Sequence, residues 1–250
     1  MKEMTVIIPL VNGGDEKLLE RARKSTKGAS SIIYVGPKEV LPETLKSGEK
    51  TVNNEGDTDF CSQINIALKS VKTKYFSILE FDDEYTPIWF KNVEDYVKKC
   101  PIEASVYLPL VEVYDFNSQD KSPIGYANEA VWASAFSDEI GCIDATCLED
   151  YSEFNLTGAV FNTEDFKAIG GLKPSIKFAF WYEFLLRATH NEKRLFVIPK
   201  VGYHHFVNRS GSLMDKTQKE LSNEDAEKWM EIAKKEYFFT KERGIKEIYD

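Results

Sequence analysis

Short apolar runs alternate with amphipathic stretches of helical length through the N-terminal half of the chain. Residues 4–10 are almost continuously apolar and predict a buried strand. Asn12-Gly13-Gly14 marks a turn, and Asp15 is placed to cap a helix over 16–24. Residues 31–35 predict a second buried strand, closed by Gly36-Pro37, and 50–52 a short third. Asp59 then stands before a helix over 60–71, with Phe60, Ile64, Ala67, Leu68 and Val71 on one face. Residues 75–79 predict a fourth strand, Pro87 opens a helix over 88–99, and 104–113 form another strand. This rhythm implies an α/β fold, a mostly parallel sheet with helices on both faces.

Periodicity fades between Asp115 and Ser152, where loops with short strands are expected. It returns as a helix over 163–169 stopped by Gly170-Gly171, a helix over 178–190 and a strand over 195–198. A capping box, Ser222 with Asp225, opens a last helix striped by Ala226, Trp229, Met230, Ala233 and Tyr237. The expected organisation is one domain over residues 1–213 and an amphipathic helical tail over 214–250.

The fourth strand carries the chemistry. It runs directly into Glu80-Phe81-Asp82-Asp83-Glu84, four carboxylates in five positions. Open α/β sheets bind ligands at the carboxyl ends of their strands. Hard carboxylate oxygens there suit Mg²⁺ or Mn²⁺, which in turn hold diphosphates. In an extended segment Glu80 and Asp82 share a face. The competing reading is a solvated acidic turn ahead of the Pro87 helix. His204-His205 ends a later apolar stretch, and alternation sends the two rings to opposite sides, so one is free for a ligand.

Composition narrows the rest. Among 250 residues, 42% are hydrophobic and 29% charged, as in an ordinary globular protein. A net charge of −9 argues against a broad electrostatic grip on nucleic acid or anionic lipid. Cys61, Cys100, Cys142 and Cys147 lack CxxC spacing and read as free thiols, with a Cys142–Cys147 bridge or metal site as the alternative. The apolar start is too short for a secretory signal and contains Pro9, so a cytoplasmic location is expected.

Four segments, in order, resemble the family 2 glycosyltransferases of the GT-A fold. They are "TVIIPL", "QINIALKSVKTKYFSILEFDDEYTP", "GAVFNTEDFKAIGGL", and "YEFLLR" followed by "VIPKVGYHHFVNRSGS". The resemblance implies a nucleotide-diphosphate sugar donor, a divalent metal and a C-terminal closing segment. Glu80-Phe81-Asp82-Asp83 stands in the place of the DXD motif. By that match Glu80 contacts the ribose, Asp82 binds the metal with Asp83 beside it, and His204 or His205 adds a ligand. Pro9, Leu10 and Val11 border the nucleobase, and Asn65 and Ala67 occupy the usual Asn and Ala positions. The chain departs from the pattern in three places. Gly36-Pro37 replaces the base-reading Asp, Ile64 replaces an Arg, and Phe180-Trp181 replaces the acidic pair that supplies the base.

The remaining candidates have two readings each. Glu183 is either the general base or one half of a helix-surface ion pair with Arg187. Asp150 and Glu153 are further base candidates. Arg209 with Ser210 and Ser212 either reaches the diphosphate or caps a turn. Asn54-Glu55-Gly56 either lies near the donor or forms a turn. Phe178, Phe180, Trp181 and Phe184 either stack on a sugar or fill the core, whereas Trp132 and Phe136 are candidates for an acceptor platform. The sequence thus predicts a metal-dependent, inverting transferase acting on a hydroxyl of a glycan, protein, lipid-linked or nucleic-acid acceptor. The rivals are an inactive GT-A-like module that docks or self-associates through its last helix, and a nucleotidyltransferase. The latter usually needs a basic phosphate loop, which Asn12-Gly13-Gly14 lacks.

Overall fold

The predicted alternation is present in the computed structural model, which describes residues 1–10, 15–55, 59–99, 103–132, 139–212 and 221–243. Its first part comprises β1 (Met4–Pro9), α1 (Glu16–Ser25), β2 (Ser31–Gly36), β3 (Glu49–Asn53), α2 (Phe60–Leu68) and β4 (Tyr75–Ile78). Asp15 caps α1 through the Lys17 and Leu18 amides, and Asp59 caps α2 through that of Ser62. Then follow β5 (Glu84–Tyr85), α3 (Trp89–Lys99) and β6 (Val106–Asp115). The irregular middle holds β7 (Gly125–Ala127), β8 (Cys142–Ile143) and α4 (Ala145–Asp150). The chain continues through β9 (Val160–Asn162), α5 (Thr163–Ala168), α6 (Phe180–His190), β10 (Leu195–Val207) and α7 (Asn223–Glu236). Val11, the Asn12-Gly13-Gly14 turn, Gly56, Cys100 and Phe136 lie outside the described residues.

The strands form one sheet in the order β3-β2-β1-β4-β9-β6-β10-β5, with β7 added to β6 and β8 to β10. Its four parallel ladders are the long ones, up to nine residue pairs between β6 and β10. The antiparallel ladders have two or three pairs each. Among these, β9 joins β4 to β6 and so unites the two parallel parts of the sheet.

The apolar runs have a simple cause. Ile7, Ile33 and Ile78 face a core built with α2, α5, α6 and α7, whereas Val6, Ile8 and Tyr34 face one built with α1 and α3. A strand buried on both faces has no polar alternation to show. The strand expected at 195–198 extends to Val207, because β10 absorbs Pro199 through two register shifts between Val197 and Tyr203.

The last helix joins the first of these cores. Ile232 and Ala233 are buried in it, and Trp229 and Met230 pack against its edge. The capping box is formed with both arms. The apolar stripe that the rival reading offers to a partner thus packs on the chain's own core through these residues. Gly170, at φ +94°, lies where any Cβ would overlap the Thr240 carbonyl, so the segment after α7 lies directly on the Gly170-Gly171 turn. No helix among the described residues is long and apolar enough to cross a membrane.

Candidate metal and nucleotide site

The acidic loop leaves β4 at the carboxyl edge of the parallel strands. All four residues of β4 are buried, and the Leu79 amide extends its ladder to the Ile7 carbonyl. The chain then turns, with the Asp83 amide donating to the Glu80 carbonyl at 3.1 Å. It re-enters the sheet as β5, which places Glu84 opposite His204 and Tyr85 opposite Tyr203. This pairing brings the acidic loop beside the two histidines, some 120 positions later in the chain.

Three ligand atoms converge there. Glu80, Asp83 and His205 each offer one, and all lie within 4.8 Å of one another. Asp83 is almost fully buried, with Oδ2 2.8 Å from His205 Nδ1 and Oδ1 accepting from the Phe206 amide at 2.8 Å. Loss of surrounding water, and then the neighbouring Asp83 charge, push the Glu80 carboxyl up to about 8. Burial pulls the His205 imidazolium down, but Asp83 outweighs it and holds the group up at about 9. Glu80, Asp83 and His205 together offer two carboxylates and an imidazole, a donor set that suits Mn²⁺. These residues fit a divalent ion.

The other predicted ligands lie elsewhere. Asp82 Oδ2 accepts from Arg209 Nε at 2.6 Å, and the Arg209 guanidinium lies 4.9 Å from the centre of the Phe81 ring. Burial, then Asp83, raise the Asp82 carboxyl, while Arg209 opposes them. His204 faces away from the cluster, between Glu84 and Glu112 at 3.3 Å each, and its hydrogen bond to Glu84 lowers that carboxyl. Alternation along β10 thus separates the two rings as expected, with His205 on the side of Asp83.

Two catalytic and binding expectations are corrected. Glu183 is fully buried, so it is neither a base open to an acceptor nor part of a surface pair. Arg187 grips both its oxygens at 2.8 Å, and Lys173 lies 2.8 Å from Oε1. Arg187 also donates to the Ile169 and Gly171 carbonyls, so the network fixes the Gly170-Gly171 turn to α6. Asn65 braces the same turn. Its amide nitrogen donates to the Leu172 carbonyl at 2.7 Å and its oxygen accepts from the Leu172 amide at 3.0 Å, which leaves that amide facing the turn rather than a donor.

Pro9 ends β1 on the same edge as the acidic loop, and the amide of Leu10, which follows it, pairs with the Val35 carbonyl. A Cβ at Gly36 would come within 2.9 Å of the Leu10 carbonyl oxygen, so a larger residue does not fit beside β1. Asn54 is buried next to it, with its backbone amide on the Gly36 carbonyl at 3.2 Å. Asp150 and Glu153 are exposed. Phe184 is in the core, and half-buried Phe180 and Trp181 pack on Phe60, with ring centres 5.6 and 6.0 Å away. Trp132 lies edge-on to Phe196, with ring centres 6.0 Å apart, and is still exposed. Cys142 and Cys147 are separate buried thiols, both pushed up to about 11 by burial.

Two residues of the resembling segments, given no role by the sequence, support the site. Tyr203 accepts from the Glu80 amide at 3.2 Å, and Gly158 packs against the Tyr203 ring. Gly158 has φ +73°, and a Cβ there would overlap that ring. Gly158→Ala is therefore expected to lower stability by about 1–3 kcal/mol, seen as a lower urea midpoint. An unchanged midpoint would show that Tyr203 yields freely.

No protein-family model matches the chain, and curated proteins give no match. Solved structures do. TarS 1–349 of S. aureus in complex with UDP-GlcNAc aligns with a TM-score of 0.64 and 18% identity, over 92% of this chain and 65% of that one. The same protein with UDP gives 0.63 and 16%, over 92% and 64%. GalNAc-T7 with UDP, GalNAc and Mn²⁺ gives 0.58 and 13%, over 83% and 44%. The chain thus spans less than two thirds of the length of each of these structures. A mostly parallel sheet, an acidic cluster at its carboxyl edge and these likenesses lead to one conclusion: the chain has the GT-A glycosyltransferase fold.

Proposed function

We propose that the chain transfers a sugar, with inversion, from a nucleotide-diphosphate donor to a hydroxyl acceptor, using a divalent ion held by Glu80, Asp83 and His205. The observation that carries this reading is the convergence of those three ligand atoms at the carboxyl edge of the parallel strands. When bound, the ion would neutralise charge developing on the leaving diphosphate. The chain's own residues do the rest. The Phe206 amide and His205 orient both oxygens of Asp83, and Arg209 brings a guanidinium fork, matched to phosphate oxygens, beside the cluster. Pro9, Leu10 and Asn54, all buried, support the same sheet edge from within. Exposed Asp150 and Glu153 are the remaining candidates for the base that inversion requires.

Calorimetry with UDP, GDP and CDP, with and without Mn²⁺, tests the donor site; no Mn²⁺-dependent binding of any of them refutes it. The same experiment has a pH signature. Because Glu80 and His205 are raised to about 8 and about 9, both hold protons at neutral pH, and the ion must displace them. Mn²⁺ affinity is expected to rise as pH climbs towards about 9, with protons released on binding. A flat profile would show that Glu80 and His205 carry no proton that the ion has to displace.

A second reading, a module that binds donor without turnover, draws on one observation. The acidic residue of the first turn of α6 is Glu183, which is sealed by Arg187 and Lys173. Nucleotide binding with neither sugar-nucleotide hydrolysis nor transfer would favour it.

A further inference from the structure

We infer that Arg21, on α1, is a positioning residue that sets the geometry of the metal cluster without touching it. The inference rests on the proposed metal site. One guanidinium makes three contacts on two separate segments. Its Nη2 donates to the Asp82 main-chain carbonyl, and its Nε lies 3.8 Å from Glu84 Oε2 without a hydrogen bond, so it ties the acidic loop at Asp82 and faces the Glu84 charge on the other side of Asp83. Its Cζ lies over the Phe206 ring, 4.1 Å from the centre, so it also contacts the end of β10. Phe206 follows His205 directly, and its amide donates to Asp83 Oδ1. Two of the three ligands, Asp83 and His205, are thereby flanked by residues that Arg21 grips.

The chemistry of the side chain matters here. Arginine offers a delocalised cation for the ring face and a rigid donor for the carbonyl at the same time, and lysine does not combine the two. A second contact shows that α1 supports this loop generally, since Ser25 Oγ accepts from the Tyr85 amide at 3.1 Å. The contact from Arg21 to Asp82 spans 61 positions of sequence, so the pattern of α1 alone does not disclose it.

Loss of a residue that orients metal ligands typically weakens metal affinity ~10–100-fold. Arg21→Met and Arg21→Lys are both expected to raise the Mn²⁺ dissociation constant by that factor at a near-parental urea midpoint. In metal-free protein, hydrogen exchange at the Phe206 and Asp83 amides is expected to quicken in both variants, with the rest of β10 unchanged. Parental Mn²⁺ affinity together with parental exchange at those amides overturns the inference. Full rescue by lysine also overturns it, because charge alone would then suffice. If the parent protein binds no Mn²⁺, the proposed function fails, and the exchange measurement on metal-free protein still decides the role of Arg21.

Discussion

Asp83→Asn is expected to abolish Mn²⁺-dependent nucleotide binding, and to do so more completely than Asp82→Asn. Asp83 is the member of the cluster whose two oxygens are both fixed, one by His205 and the other by the Phe206 amide. The amide keeps an acceptor for Phe206 but removes the charge that offsets an ion and holds the His205 proton. The loss is expected to exceed the ~10–100-fold typical of removing a residue that merely supports a ligand. Asp82→Asn instead weakens the pair with Arg209 and leaves Glu80, Asp83 and His205 in place. Calorimetric titration of Mn²⁺ and UDP into each variant decides the order. If Asp82→Asn is the more damaging, the metal sits where the DXD resemblance puts it, and the ligand set read from geometry is wrong.

The second large effect concerns stability. Arg187→Met leaves Glu183 without its bidentate partner in a fully buried position. It also releases the Ile169 and Gly171 carbonyls. Breaking a buried pair by removing one partner costs about 3–5 kcal/mol, a large share of the roughly 5–15 kcal/mol that holds a typical domain together. Lys173 is a poor substitute. Burial depresses its own charged form, and its ammonium already donates to the Glu236 carbonyl at 2.7 Å. Urea unfolding is expected to show this loss for Arg187→Met. A triple replacement, Lys173→Met with Glu183→Leu and Arg187→Met, is expected to lose much less, since it removes every charge at once. Equal losses in the two proteins would mean that the hydrogen bonds to the Gly170-Gly171 turn, rather than the stranded charge, dominate.

Much of the fold was legible because local signals agreed. Continuous apolar runs marked β1, β2 and β4, and Asp15, Asp59 and Ser222 marked helix starts that the structure confirms. The strands β5, β7, β8 and β9 are two or three residues long, too short for any period to appear, and they exist through their partners. The site divides in the same way. The acidic strand end and the opposed histidine rings are local facts, visible as residue types and alternation. That His205 faces Asp83 while His204 faces Glu84 and Glu112 depends on the register of β10 with β5 and β6, which no local pattern encodes. Glu183 shows the limit most clearly. Its spacing to Arg187 predicted the pair, but i, i+4 spacing is the same whether a helix face meets water or Lys173.

The docking of the last helix has a consequence for how the chain is made. Ile232 and Ala233 close the core over α6, the Glu236 carbonyl receives the buried Lys173 ammonium, and Thr240 covers Gly170. Until those residues have left the ribosome, the turn that Asn65 and Arg187 brace remains open on one side. Synthesis therefore delivers a core that is open beside this turn, and its closure waits for α7 and Thr240 to emerge.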